Sequence, residues 1–331
     1  MNVGKLSELI LKRSVINKFR NKRAEVISGA RAGGDAAIMQ IDGRLITAVS
    51  CSTDGDFFHP QEVCLSHILT DARITAIRAA NSVSAEGGSP FALLIAMILP
   101  PAIEEKEIKQ IMETFESVAG ELNLQIAGGH SEISEKVCQP VFTVTAYGNG
   151  AMKVRDKNDT QTFCGKDIVM TGYTALEGTG VVAVKNRRQL EERFAPGYLD
   201  QAREYLRHIS ISEHAKIALE HGTSFMHDLS ETGVFGGLWE LGEKLRSGLE
   251  IQVRQIPVLQ ETIELSEYLE LNPYTMKSAG SLLVIAEDGN KLVECYKKSG
   301  IHAAVIGKVT EGNDRVLMNQ EERRFLEQPR S

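Results

Sequence analysis

The 331-residue chain contains no run of about 18 or more apolar residues, no apolar leader followed by a small-residue cleavage site, and no C-x-x-C pair. The first two absences leave no signal for a membrane span or for secretion. The third bears on five cysteines, Cys51, Cys64, Cys138, Cys164 and Cys295, which are scattered and odd in number. That usage fits reduced thiols rather than a disulfide framework or a zinc site, and a cytoplasmic location is expected. Eight histidines form no H-x-x-x-H or H-E-x-x-H pair, which sets a zinc hydrolase far behind other readings. Basic charge is also short: 37 Lys and Arg face 44 Asp and Glu, giving a net charge of -7. A protein that binds nucleic acid without regard to sequence needs a basic surface, so that class is excluded. The segment "LKRSVINKFRNKR" is a local exception whose helical spacing predicts a solvated helix face, ahead of a phosphate-facing arm. No short repeat or low-complexity tract occurs.

What remains is a chain with 42% hydrophobic residues, long enough for two cores. Two domains are expected, over residues 1–155 and 156–331. The segment from His59 to Gly88 reads as one or two helices, and "PFALLIAMILP" as a short buried strand between prolines. In "EEKEIKQIMETFESVAGELNL", Ile108, Ile111, Met112, Phe115, Val118, Ala119 and Leu122 repeat at helical spacing, with acids at the dipole-favoured start. "QPVFTVTAYGNG" is a β-branched strand, and residues 151–165 read as a linker. Further on, "DIVMTGYTA" reads as a strand and "LEGTG" as a turn, ahead of a helix-rich middle over residues 188–248. The end, "SLLVIAEDG", "NKLVECYKKSG" and "HAAVIGKVTEG", alternates strand, helix, strand.

Polar clusters fall at the ends of these elements. "GGDAA" and "STDGD" flank a hairpin and bring Asp35, Asp54 and Asp56 beside glycines, while "NSVSAEGG" closes a helix and "AGGHSEIS" follows a strand as a loop. Ordinary turn chemistry accounts for Gly-Asp and Asp-Gly pairs. A metal site holding a polyphosphate accounts for them equally, and the hairpin alone leaves both readings open.

The set of motifs resembles the aminoimidazole ribonucleotide synthetase superfamily over nearly the whole chain. "GGDAA" is similar to its G-x-D-A-A, "STDGD" to S-T-D-G, "NSVSAEGGSP" to N-D-x-x-A-x-G-A-x-P, and "GGHSEISEKVCQPV" to the G-G-H-T-E form of archaeal-type relatives. "LEGTG", "HDLSETGV", "SAGSLLV" and "AAVIGKVTEG" resemble E-G-T, H-D-P-T-E-G-G-L, S-G-T-L-L and A-x-x-I-G of the hydrogenase expression/formation (carbamoyl dehydratase) subfamily. The resemblance implies a two-domain α/β (α+β) fold. Its N-terminal strands would join a dimeric β-barrel, and its C-terminal domain would be an α/β sandwich. It implies ATP and Mg2+ as cofactors and phosphorylation of a small-molecule oxygen, often an amide oxygen. Magnesium at carboxylates would neutralise charge developing during phosphoryl transfer.

Carried over position by position, the resemblance makes Asp35 and Asp54 metal ligands with Glu132 assisting. It puts Asn81, Ser82, Gly128 and Gly129 on the nucleotide side and His227, Asp228, Ser230 and Gly233 on the substrate side. His130 and Glu132 become the catalytic candidates. A helix N-terminus after Ser230 would suit a phosphate or carboxylate. Ser82 stands where the motif has a magnesium-binding aspartate, and His130 where kinase-like relatives have another. The tail "FLEQPRS" is similar to the subfamily's P-R-I-C without its cysteine, so carbamoyl chemistry on a terminal thiol is not carried over. The expected partners are a small-molecule substrate, a second copy of the chain and a maturation protein, with no membrane and no nucleic acid. The alternative is a non-catalytic ligand-binding assembly protein with reduced metal capacity.

Overall fold

The computed structural model describes residues 10–29, 34–53, 64–152, 163–223 and 225–328. Asp54, Asp56, most of the expected linker and the last three residues lie outside the described residues. The basic segment forms only two short irregular helical turns, Leu11–Val15 and Ile16–Lys18, rather than an amphipathic helix.

The N-terminal half holds strands β1 (Val26–Ser28), β2 (Ala37–Ile41) and β3 (Arg44–Ser52), helix α1 (Leu65–Ala85), β4 (Ser89–Leu99), α2 (Glu105–Glu121), β5 (Gln125–Ile133) and β6 (Val141–Asn149). The hairpin β2–β3 turns at Asp42 and Gly43, both at positive φ, as a tight two-residue turn requires. The strands form a six-stranded sheet in the order β1-β2-β3-β6-β4-β5, antiparallel except for β4 with β5. Among the described residues it is open, with β1 and β5 at its edges, and does not close into a barrel. Strict alternation of buried and half-buried residues along β6 marks one face packed on α1 and α2.

The C-terminal half begins with β7 (Asp167–Thr171) and continues with α3 (Leu176–Lys185), α4 (Pro196–Glu204), α5 (Ser212–Glu220), β8 (Met226–Asp228), α6 (Gly233–Leu245) and β9 (Gly248–Gln252). It closes with α7 (Gln260–Tyr268), β10 (Leu282–Ala286), α8 (Gly289–Lys298), β11 (Ala303–Thr310), β12 (Arg315–Asn319) and β13 (Glu322–Phe325). The seven strands run β13-β12-β9-β11-β7-β10-β8, which leaves β8 at an edge. "LEGTG" is the first turn of α3 rather than a connecting turn.

Helix α1 determines where a site can form. Its last two-thirds, from Ala72 to Ala85, is buried almost all round. A helix without a solvent face must be covered on both sides, and α1 lies between the N-terminal sheet and the C-terminal half. Small residues, Ala76, Ala79, Ala80, Ser82, Ser84 and Ala85, allow that close approach. Polar clips fix it: Asn81 donates to the Ile209 carbonyl at 2.7 Å and accepts from the Ile211 N–H at 2.9 Å, and Lys185 reaches Asp71 at 2.6 Å. Arg78 lies 3.3 Å from Glu177, an ion pair buried between the halves.

Candidate functional site

Three pieces of chain meet at one end of this seam. Asp35 enters just before β2, Ser82 and Glu86 come from the end of α1, and β8 with the helix after it supplies His227, Asp228, Glu240 and Lys244. The Asp35 carboxylate accepts from His227 Nδ1 at 2.9 Å and from the Lys244 ammonium, while its backbone N–H donates to Glu86 at 3.2 Å. His227 Nε2 lies 3.2 Å from Glu240, and Lys244 lies 3.6 Å from Glu86. Ser82 Oγ donates to Asp228 at 3.0 Å. The ring of Phe225 sits 5.8 Å from Lys244 Nζ.

Burial makes these charges matter. The side chains of Asp35, His227 and Lys244 are 6%, 2% and 7% exposed. Burial alone would push Asp35 up, but His227 and Lys244 together hold its carboxyl well below the usual carboxylate range. Burial likewise opposes charge on His227, and Asp35 outweighs it, raising the imidazole to about 9. Asp228 is driven the other way: burial first, then the neighbouring Asp35 charge, push it up to about 7. Lys244 is disfavoured by burial, yet the carboxylates of Asp35 and Glu86 raise it.

The expected residues therefore separate into two groups. Asp35, Ser82, His227 and Asp228, assigned by motif to metal, nucleotide and substrate, come together as one cluster. His130 and Glu132 do not join it: they lie on the outer edge strand β5, 3.1 Å from one another and 66% and 49% exposed. "AGGHSEI" is strand rather than the expected loop, and a Cβ on Gly129 would come within 1.7 Å of the Ile95 carbonyl, so this glycine serves strand approach. Gly128 stands beside it on the same strand. Asn81, expected beside a nucleotide, spends both ends of its amide on backbone.

The start of α6 is filled by the chain itself. Phe235 N–H donates to the Tyr274 carbonyl at 3.1 Å, and the Ser230 carbonyl accepts from Ser278 at 2.9 Å. Gly233, at φ +66°, lies so close that a Cβ would meet the Tyr274 and Met276 carbonyls at 2.6 and 2.7 Å. The loop over Tyr274–Met276 thus packs on the terminus where a phosphate was expected, and it takes up the Phe235 N–H.

Sequence reasoning missed Glu86, Glu240 and Lys244. Glu86 sits at a variable position of the α1 motif, and Glu240 and Lys244 are spaced four residues apart on α6, which reads as an ordinary helix-surface pair.

The chemistry of the donors tests the implied magnesium. Asp35, His227 and Asp228 each offer a ligand atom, all within 4.8 Å. Asp35, however, already takes two cationic partners, one ring nitrogen of His227 faces Asp35 and the other Glu240, and position 82 supplies a hydroxyl where a carboxylate was expected. A hard divalent ion selects free oxygen ligands. As arranged, the described residues of the cluster do not fit magnesium, and Asp54, the other expected ligand, lies outside them.

Two mixed α/β halves, each built on its own sheet, meet in this charged cluster, which is the candidate site. More particularly, the chain belongs to the AIR synthase related protein family: the N-terminal domain of that family matches residues 33–149 and the C-terminal domain residues 165–319. Among its relatives, a hydrogenase expression/formation protein of Methanocaldococcus jannaschii is 21% identical over 254 residues, covering 74% of this chain and 72% of that one. A selenide, water dikinase of Pseudomonas straminea is 25% identical over 352 residues, covering 95% and 91%. The fold is also that of HypE in its complex with HypF, at TM-score 0.73 and 17% identity over 97% of this chain and 99% of that one. The hydrogenase maturation protein HypE in complex with ATP matches at TM-score 0.68 and 16% identity, over 98% and 93%. Among the described residues no helix is long and apolar enough to cross a membrane.

Proposed function

We propose that this chain is an ATP-using enzyme that transfers a phosphoryl group to an oxygen of a small molecule, turning a poor leaving group into phosphate. One observation carries the reading: the motif residues Asp35, Ser82, His227 and Asp228, far apart in sequence, converge on one buried charged cluster between the domains. Relatives that carry the family fold include a dikinase and a protein crystallised with ATP, which supports a nucleotide as the phosphoryl donor. Within the cluster, Asp228 is the group suited to proton transfer. Its carboxyl, pushed up to about 7 by burial and by Asp35, exchanges a proton near neutral pH, and Ser82 fixes its orientation. His227 ties β8 to Asp35 through Nδ1, with Nε2 lying 3.2 Å from Glu240.

The test is phosphate release from ATP in the presence of small carboxamides and other oxygen nucleophiles. Asp228→Asn should lower the stimulated rate by about a hundredfold or more, the usual scale of a lost general acid or base. A rate unchanged in Asp228→Asn would remove Asp228 from the mechanism. A second reading, a non-catalytic assembly protein, is favoured by Ser82 at the carboxylate position, and silence of the wild type across the whole panel would select it.

A further inference from the structure

The disagreement between this cluster and magnesium has a constructive side. We propose that the Lys244 ammonium is the resident cation of the Asp35 pocket, standing where the family motif would place a metal ion. The inference goes beyond the proposed function and does not depend on it, because it concerns occupancy of the pocket rather than turnover.

Four observations converge. Lys244 reaches back from the last turn of α6 to Asp35, and lies 3.6 Å from Glu86. Its side chain is 7% exposed, so its charge is satisfied inside the pocket. The Phe225 ring closes another side at 5.8 Å, giving the acid-and-aromatic surround suited to an ammonium ion. The carboxylate missing at Ser82 has a counterpart one helical turn on, at Glu86, which faces the ammonium. A carboxylate at position 82 would crowd Asp228, since Ser82 Oγ already sits 3.0 Å from it, whereas Glu86 approaches Lys244 from the end of α1.

The arrangement places the charges opposite one another. Asp35, Glu86 and Glu240 face His227 and Lys244, so the tethered ammonium offsets carboxylate charge at the position a metal ion would otherwise serve. A magnesium or manganese ion entering here would have to displace a covalently tethered cation from a buried carboxylate. Buried charges separated from their partners are costly, so displacement is disfavoured.

Manganese alone serves as the probe, with bound Mn2+ counted by electron paramagnetic resonance during titration of the full chain. The number and affinity of sites should be the same in the wild type and in Asp35→Asn, because Asp35 holds no metal. Lys244→Met should gain one site at least tenfold tighter than any background binding, and Lys244→Met combined with Asp35→Asn should lose it. One fewer site in Asp35→Asn than in the wild type would overturn the proposal, as would a folded Lys244→Met with no new site. Should Lys244→Met fail to fold, the wild-type and Asp35→Asn comparison decides alone. Lys244→Arg, which keeps the cation, should leave the Mn2+ count unchanged.

Discussion

The chain carries the same pair of groups, a histidine against a carboxylate, in two places that differ in almost everything else. His227 and Asp35 meet at 2.9 Å with side chains 2% and 6% exposed, whereas His130 and Glu132 meet at 3.1 Å on an edge strand open to solvent. In water an ion pair gains little, because solvent already serves both partners. Inside the protein the partners have other protein groups in place of water, so their titration moves and their removal is felt. The residue types do not distinguish the two pairs; one joins neighbours on a strand and the other residues 192 apart, and depth in the fold sets what each is worth.

The largest expected consequence concerns removal of the carboxylate. Asp35→Ala leaves His227 and Lys244 buried without their common acceptor, and loss of one partner from a buried pair costs about 3–5 kcal/mol. Glu132→Ala should cost less than about 1 kcal/mol, the range of exposed pairs. Urea denaturation of both variants measures the contrast, and equal losses would show that the seam cluster is as solvated as the edge strand.

A smaller effect should appear as a pH dependence confined to the seam. The folded pKa of His227 is raised to about 9, so its contribution is complete below its unfolded value of 6.5 and is lost as pH rises through 9. Asp228 is a raised carboxyl: the folded protein keeps a proton the unfolded chain releases, so stability falls between its unfolded value of 3.8 and about 7. Asp35 is lowered, and its contribution is present above 3.8 and lost only in stronger acid. From mild acid to alkaline pH the two falling contributions follow one another, each with a slope of at most about 1.4 kcal/mol per pH unit. Melting curves across this range should show His227→Gln flattening the alkaline limb and Asp228→Asn the acidic one. The same slopes in both variants as in the wild type would place the titrating groups elsewhere.

Much of the seam was legible in the sequence, and the reason for the remainder is physical. Asp35, Ser82, His227 and Asp228 stand in motifs with distinctive neighbours, and the periodicity over residues 104–124 and the apolar run over 90–100 coincide with the helix Glu105–Glu121 and the strand Ser89–Leu99. Lys244 carried no such signal: four residues after Glu240 on an amphipathic helix, it matches countless surface pairs, and only the arrival of Asp35 from the other domain gives it a buried partner. "AGGHSEIS" misled in the opposite direction. Its polarity and two glycines suggest a loop, but an edge strand exposed on both faces has no need of apolar alternation. The N-terminus of α6 looked like an anion site because a helix start is always one in isolation, and the loop over Tyr274–Met276 that fills it is visible only in three dimensions.

The edge strand supplies the smallest expected stability effect and the sharpest separation of stability from function. β5 and β1 both end the N-terminal sheet, and Val26, Ile27, Ile41, Phe91 and Ile133 expose large apolar side chains on its strands. Open edges with apolar residues favour pairing with another chain. The expectation drawn from the family resemblance, a second copy over this sheet with a ligand beside His130 and Glu132, can be tested at these residues. His130→Ala should change unfolding stability by less than about 0.5 kcal/mol, as a surface substitution does. Light scattering should find the same oligomeric state in the variant as in the wild type, since the pairing of His130 with Glu132 is within one strand. ATP-dependent phosphate release should nevertheless fall by about tenfold or more if the histidine contacts the reacting groups. A variant that is stable, dimeric and fully active would return His130 to the solvent-exposed surface, and a wild type monomeric at micromolar concentration would remove the second copy from the argument.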